Sequence, residues 1–413
     1  MEKNLLIIGH SAKEYALAKI LSKDFNIFVV SGNHAFEEFA TLVDIRETSP
    51  IAILEFALEN NIEFTICCSE VAIENNIASL FEKNNLKIFA PTASAGTFTT
   101  SKSIAKKLMY KLKIPTPRFG IFDKKPLALD YLRNCRMPVV VKTDNDKSRV
   151  PTMICPTENI AKSYIEECFF SGEEKIIIEE YVYGTRFSLY TITDGYKILP
   201  FGSTVDYKYS LDGDGGFFTA GMGSYSPCIK LTHDQICYIL QDIAYPVINS
   251  LERQSTPYLG IIGIDGVLTP DGRISVLEFH PFLKDHDAQS VLSLIDSNVF
   301  KLLEACVLGT FADEYDYIKL KDEFSISAVL CSTKNKTSVI QGVDELEDEI
   351  VVSHLNTRKN EYLEYESLGD RALVLTANAK TLTRAKDTLY NEMEFIQVDG
   401  KHYRKDICKL NSY

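Results

Sequence analysis

The chain has 413 residues, enough for two to four domains at roughly 100–200 residues each. Hydrophobic residues make up 45% and charged residues 24%, ordinary globular values, and the formal net charge is −13. That acidic balance argues against nucleic acid or an anionic membrane as a general partner, since both bind basic surfaces.

Leu5–Ile8, followed by Gly9, reads as a buried strand feeding a turn; Glu14–Leu21 has helical periodicity and Ile27–Val30 is a second strand. A helix over Ala52–Leu58, a strand over Phe64–Cys67, a helix over Val71–Phe81 and a strand over Lys87–Phe89 continue the alternation. Such alternation predicts a doubly wound parallel sheet, with ligands at the carboxyl ends of its strands. Those ends are Gly9–Glu14, Ser31–His34, Ser69–Glu70 and Ala90–Thr92. The first loop lacks a G-x-G-x-x-G, and Lys13 stands where a G-x-S-x-G nucleophile elbow closes with glycine. Ser11 therefore reads as a helix N-cap.

Ser101–Leu112 is an amphipathic helix, broken by the linker Ile114-Pro115-Thr116-Pro117. An apolar strand, Pro138–Val141, ends in Lys142, and the polar stretch Thr143–Pro151 follows. A helix over Ile160–Phe170 leads to a strand, Ile176–Ile178, that ends in Glu179-Glu180. Charges closing buried strands are either ion-paired or functional. Val205–Pro227 sets Asp206, Lys208, Asp212 and Asp214 before Gly215, Gly216, Gly221 and Gly223. Such a stretch is either a surface hairpin or a backbone that lets a ligand come close. After a helix near Cys237–Leu251, a hairpin runs out over Gly260–Leu268 and back over Ile274–His280. Glu278 and His280 share one face of its return strand, and a cation would satisfy both. From Phe324 a small α+β unit begins, with strands at Ile326–Leu330, Ile350–Val352 and Ala372–Ala377 and a helix over Thr381–Met393. The ten cysteines are scattered without a C-x-x-C, so they read as reduced thiols in a cytoplasmic protein. No apolar run approaches the ~20 residues of a membrane span.

The order of these pieces resembles the ATP-grasp superfamily and, within it, the phosphoribosylamine–glycine ligase family. Thr219-Ala220-Gly221-Met222-Gly223-Ser224-Tyr225-Ser226-Pro227 is similar to that family's T-G-G-M-G-A-Y-S-P. Asp206-Tyr207-Lys208 is similar to D-H-K, Val276–His280 to V-L-E-F-N, Gly184–Ser188 to G-E-E-F-S, and Tyr403–Ile407 to Y-R-R-D-I. The resemblance implies an N-terminal doubly wound domain over 1–100. It further implies an ATP-grasp domain over 101–323, with a lid at about 118–183, and a C-terminal α+β domain over 324–413. The implied reaction is a purine-pathway one, in which ATP phosphorylates the glycine carboxylate and 5-phosphoribosylamine captures the acyl phosphate.

Carried over by resemblance, Lys102, Lys142, Glu179, Glu180, Tyr181, Val182 and Arg186 would hold ATP. Glu278 and His280 would hold magnesium, with manganese as the alternative. Asp206, Lys208, Thr219, Gly221 and Asp285 would serve catalysis on the glycine side. Gly9, Lys13, Glu14, Asn33 and Gly223 would bind substrate. The partners implied are small molecules, namely glycine or another amino acid and a phosphorylated amine. Neither nucleic acid nor a membrane is among them, and the protein is expected as a monomer or homodimer.

Several positions depart from the pattern. His280 replaces a metal-binding asparagine, and Arg186 stands where a carboxylate is expected to hold the ribose. In the segment matching R-F-G-D-P-E the arginine is Phe282, which removes a cation, while Asp285 and Asp287 keep its two acids. The glycine-rich phosphate loop has become Thr143–Arg149 without a glycine, leaving Lys147 or Arg149 as substitutes. In the first loop, G-G-R-E-H has become Ser11-Ala12-Lys13-Glu14-Tyr15. Two expectations follow: a carboxylate–amine ligase of this family, with its own or altered substrates, or a catalytically impaired paralogue with a binding or regulatory role.

Overall fold

A computed structural model describes residues 3–145 and 150–409; Lys147 and Arg149 lie outside the described residues. Near the N-terminus, Ala40–Val43, Phe25–Val30, Lys3–Ile8, Phe64–Cys67 and Ile88–Phe89 line up in that order as a parallel sheet. Leu5, Leu6, Ile7 and Ile8 are fully buried because helices cover both faces, which is why this part of the strand is apolar on both sides. The edge strand Ala40–Val43 has no counterpart in the sequence reading. Its four residues, Ala40-Thr41-Leu42-Val43, are too few to show a two-residue period, and only Val43 is buried. The helix expected over Val71–Phe81 is two, Glu70–Glu74 and Ile77–Lys83, parted by Asn76 at φ 62°. Asparagine is among the few residues that accept that left-handed conformation.

The lid is a four-stranded antiparallel sheet in the order Phe119–Phe122, Ile176–Glu180, Val139–Thr143, Met153–Cys155. Ala128, Leu132, Ala161 and Ile165, from helices Lys125–Leu132 and Glu158–Phe170, pack on its apolar face. The other elements converge on an eight-stranded antiparallel sheet. Its order is Ile274–His280, Gly260–Leu268, Thr185–Thr193, Ile198–Asp206, Gly223–Ser226, Phe324–Cys331, Arg371–Ala379, Ile350–His354.

The last three of these strands belong to the C-terminal stretch that the sequence reads as its own unit. They hydrogen-bond into the same sheet as the site strands through the short strand Gly223–Ser226, which pairs with Val205-Asp206 on one side and Ser325–Ala328 on the other. Strand pairings between residues this far apart in sequence leave no periodic trace. Gly223 makes the join, since at φ 151° a Cβ there would stand 2.4 Å from the Ser327 carbonyl oxygen.

The helix read near Cys237–Leu251 runs as His233–Tyr238, a π-helical turn Ile239–Ala244, and Tyr245–Glu252. Pro246, which has no N–H to donate back into the preceding turn, sits where the π turn ends. The helix Asp285–Leu292, buried from His286 onward, packs against strands Ile198–Asp206, Gly223–Ser226 and Phe324–Cys331 and was not read from the sequence. Among the described residues all ten cysteines are free thiols, and no helix is long and apolar enough to cross a membrane.

Phe98 wedges between Tyr258 and Phe279, with ring centroids 5.4 and 5.3 Å away, and so fixes the strand that carries Glu278 and His280. Phe98→Ala should destabilise the protein by about 3–5 kcal/mol, the usual cost of deleting a buried aromatic ring. Urea unfolding would show this as an earlier transition; an unmoved midpoint would contradict the packing role.

Candidate active site

A cavity of about 390 Å³ opens where the ends of the N-terminal sheet, the lid and the central sheet meet. Lys13, Lys102, Lys208, Thr219, Glu278, His280 and Asp285 all line it, so the fold gathers residues spread over most of the chain. Glu278 and His280 face it from one side of their strand, as the two-residue period requires. Asp265 lies opposite Glu278 on the partner strand. The donor atoms of Asp265, Glu278 and His280 all fall within 4.8 Å of one another, a grouping able to hold a metal ion. His280 Nε2 is 3.1 Å from Asp265 Oδ2 and 3.9 Å from Glu278 Oε1. Burial works against the imidazolium, but Asp265 and Glu278 outweigh it and raise the His280 pKa above 6.5. Burial would likewise raise Glu278, yet Lys142, Lys102 and His280 hold its carboxyl far below the usual range. Asp265 was missed from the sequence, although a single carboxylate within the apolar strand Gly260–Leu268 was a readable signal.

A second knot of charge sits behind the cavity wall. Lys284 Nζ lies 2.8 Å from Ser188 Oγ, 2.8 Å from Asp206 Oδ2, 3.0 Å from both Asp265 oxygens and 3.3 Å from Asp287 Oδ2. The other oxygen of Asp206 is 2.7 Å from His286 Nε2, and Lys208 Nζ is 3.1 Å from Oδ2. Burial raises the Asp206 pKa, but Lys208, Lys284 and His286 overcome this and hold it well below normal. Burial opposes the Lys284 ammonium, and Asp206 and Asp265 reverse that, raising its pKa well above normal. Tyr190 donates to Asp287 at 2.6 Å. Lys284 and His286 are functional candidates the sequence reading did not single out.

The cation read as lost at Phe282 is offset. Phe282 itself is buried in an apolar cluster that includes Leu283 and Val291. Lys284 and Arg371 both line the cavity, the latter from a strand of the C-terminal stretch. Arg371 and Lys13 flank Asp285, whose carboxyl burial raises and these two cations lower to below its ordinary value.

In the lid, Glu179 is buried between Lys106, at 3.0 Å, and Lys142, at 3.1 Å. Its carboxylate is therefore engaged by two ammonium groups, whereas the resemblance implied a contact to ATP. Lys106 was not read as a site residue, because one lysine on an amphipathic helix looks solvated. Glu180 donates its N–H to the Arg118 carbonyl at 2.9 Å, Tyr181 meets Tyr183 edge-on at 4.8 Å, and Val182 is half-buried beside them. Arg186 lays its guanidinium over the Phe218 ring at 5.1 Å and lines a separate cavity of about 720 Å³ with Tyr181.

Several residues carried over as substrate contacts have structural roles. Glu14 closes a capping box, accepting from Ser11 N–H at 2.9 Å and Ser11 Oγ at 2.5 Å, as Ser11's N-cap reading implied. Gly9, at φ 139°, leaves room for that carboxylate, since a Cβ would sit 2.3 Å from Glu14 Oε1. Asn33 caps a 3₁₀ turn by accepting from Ala35 N–H at 2.9 Å, and Gly223 lies inside the central sheet. Gly221 packs on His286, where a Cβ would come within 1.9 Å of Cε1. Gly9, Glu14, Asn33, Gly221 and Gly223 do not line the cavity, whereas Thr219 and Ala220 do.

A lid folded over a large antiparallel sheet, with lysines and a carboxylate–imidazole trio at the cleft, defines an ATP-grasp ligase. The N, ATP-grasp (A) and C domains described for phosphoribosylglycinamide synthetase match residues 3–98, 100–288 and 332–410. The chain belongs to this family, whose members are phosphoribosylamine–glycine ligases. The ligase of Clostridium acetobutylicum is 30% identical over 420 residues, covering 98% of this chain and 99% of its own. In fold, the crystal structure of the phosphoribosylamine–glycine ligase of Thermotoga maritima superposes with a TM-score of 0.83 at 21% identity, covering 98% of this chain and 100% of that one. The biotin carboxylase domain of Hydrogenobacter thermophilus 2-oxoglutarate carboxylase, solved with MgADP, gives 0.73 at 15% identity, covering 97% and 91%.

The raised pKa of His280 makes a pH prediction. The stability that its imidazolium supplies is fully present below the unfolded value of 6.5 and is lost as pH rises through the higher folded value. Melting temperature should therefore fall on the alkaline side of 6.5, and His280→Asn should flatten that fall. A variant with the wild-type slope would show that another group titrates there.

Proposed function

We propose that this chain is an ATP-dependent carboxylate–amine ligase: it activates a small carboxylate, glycine in its relatives, and joins it to a phosphorylated amine with release of ADP and phosphate. The observation that carries the reading is the convergence of Lys102, Lys208, Glu278 and His280 on one cavity beside the lid. Phosphoryl transfer asks of a protein mainly position and charge neutralisation, and these groups supply both.

The donor set fits a divalent ion. Asp265, Glu278 and His280 would hold it, and the imidazole shifts preference from magnesium, which favours oxygen, toward manganese. A bound ion would neutralise charge on the phosphate oxygens. Lys102 would meet the phosphates, while Lys142, locked to Glu179, keeps the lid strands aligned beside them. Glu180, Tyr181 and Val182 form the segment along which the base would lie. Lys13 and Arg371, cations from opposite ends of the chain, would receive the phosphate of the amine substrate. Lys208 and Thr219 would face the carboxylate, with Thr219 held by donating its hydroxyl to the Lys208 carbonyl at 2.8 Å. The protein would work as a monomer or homodimer in the cytoplasm.

Purified protein given ATP, manganese or magnesium, phosphoribosylamine and a panel of small carboxylates including glycine should release ADP. Glu278→Gln should lower kcat/KM by about a hundredfold or more, the scale of losing one electrostatic contact to a reacting phosphate. ADP release absent with every acid and both metals would refute the ligase reading.

A further inference from the structure

We propose that the cavity of about 720 Å³ beside Arg186 is a second anion site, one that takes a small molecule of the phosphate class carrying at least two negative charges. Lys208 is the one residue that lines both this cavity and the catalytic one. The proposal concerns binding here and goes beyond the ligase chemistry there.

The wall is assembled from parts of the chain far apart in sequence. Tyr181 and Arg186 follow the last lid strand, and Lys230 lies on the loop after strand Gly223–Ser226. The C-terminal stretch adds Lys386, on helix Leu382–Phe395, and then Arg404, Lys405 and Lys409. Hydrogen bonds hold these parts together. Arg404, itself only 1% exposed, donates to Asp214 at 2.9 Å and to both Asp406 oxygens at 2.7 Å. Asp406 also accepts from Gly213 N–H at 2.7 Å, and Asp212 accepts from Lys405 N–H at 2.9 Å. The C-terminal segment is thereby fastened to the turn that joins strands Tyr209–Leu211 and Gly215–Phe218.

The charge of this wall runs against that of the molecule. Seven lysines and arginines line the cavity against four aspartates, a surplus of three positive charges in a chain whose net charge is −13. The pairs on the wall are Arg404 with Asp214 and Asp406, and Lys208 with Asp206 at 3.1 Å. Among the described residues, Arg186, Lys230, Lys386, Lys405 and Lys409 make no ion pair. Like charges gathered in one concavity focus their field and concentrate small anions there. Lysine supplies point charge and arginine a planar fork of N–H donors, the two tools proteins use on phosphate. Arg186 is held in place over the Phe218 ring at 5.1 Å, a stack that engages its charge without an acid. The volume lies within the range of small-molecule sites, and the surplus sets the charge a ligand brings at two or more.

Metal-free calorimetry on the full chain tests this with inorganic pyrophosphate and with ribose 5-phosphate, two carriers of the same chemistry. Wild type should bind pyrophosphate with an affinity that falls as salt is raised. Binding of ribose 5-phosphate as well would assign the site to phosphate esters; pyrophosphate alone would assign it to free phosphates. Lys386→Ala combined with Lys405→Ala should weaken binding about tenfold or more, the scale of one lost charge-assisted contact, with ADP release unchanged. Lys230→Ala, on a separate loop, repeats the comparison should the double variant fail to fold. Binding of neither probe by wild type, or a double variant that binds as tightly as wild type, overturns the proposal. So does loss of all pyrophosphate binding in Lys102→Ala, which would place the anion in the catalytic cavity. Absence of ADP release in wild type would instead refute the ligase reading and leave the binding result standing.

Discussion

Buried charge must be compensated where it lies, and in this protein that requirement organises the centre of the molecule. Asp206, Asp265 and Asp287 come from two strands and a helix, and Lys284 is the cation they share. Removing one partner from such a knot typically costs about 3–5 kcal/mol, because the remaining charges are left without solvent or counter-ion. The knot therefore links strands Ile198–Asp206 and Gly260–Leu268 to the start of helix Asp285–Leu292 in one arrangement that leaves no charge uncompensated. Lys284 also lines the cavity in front of the knot, so the knot forms part of that cavity's wall.

The lid repeats the device on a smaller scale. Glu179 draws Lys106 from the helix before the lid and Lys142 from a lid strand to one buried point. Burial pushes the Lys106 pKa down, which Glu179 only partly offsets. The ordinary cost of burying a carboxylate is met here by two lysines, and the gain is a fixed angle between the lid and the helix at its root. On the far side, Lys359 and Tyr365 of the C-terminal stretch both reach Glu38 of the N-terminal domain, with Lys359 Nζ at 3.2 Å. Polar contacts thus close the molecule around the cleft from both ends of the chain.

Departures from a family pattern can be compensated in space by residues that are not aligned with those lost. Phe282 in place of arginine is such a case: Lys284, two positions on, and Arg371, a strand of the C-terminal stretch away, restore positive charge to the same cavity. His280 in place of asparagine is another, because Asp265 completes a donor set that His280 alone would not make. Both compensations are invisible to a motif, which compares position with position and not neighbour with neighbour.

The sequence by itself determined the alternating N-terminal unit, the site hairpin and the family, since these rest on local apolar period and on short runs such as Gly221-Met222-Gly223. It also marked Lys102, Lys208, Thr219, Glu278, His280 and Asp285, which the fold brings to one cavity. Local pattern could not tell a glycine that meets a ligand from one that makes room for a side chain. Gly9 and Gly221 proved to be the second kind, clearing space for Glu14 and His286. Nor could it reveal Lys106, Asp265, Lys284 or Arg371, whose significance lies entirely in partners distant along the chain. Only the tertiary structure decided that the C-terminal strands join the central sheet and that Lys284 sits among Asp206, Asp265 and Asp287. Strand pairing and charge compensation act between residues far apart in sequence, and that is the physical reason neither could be read from it.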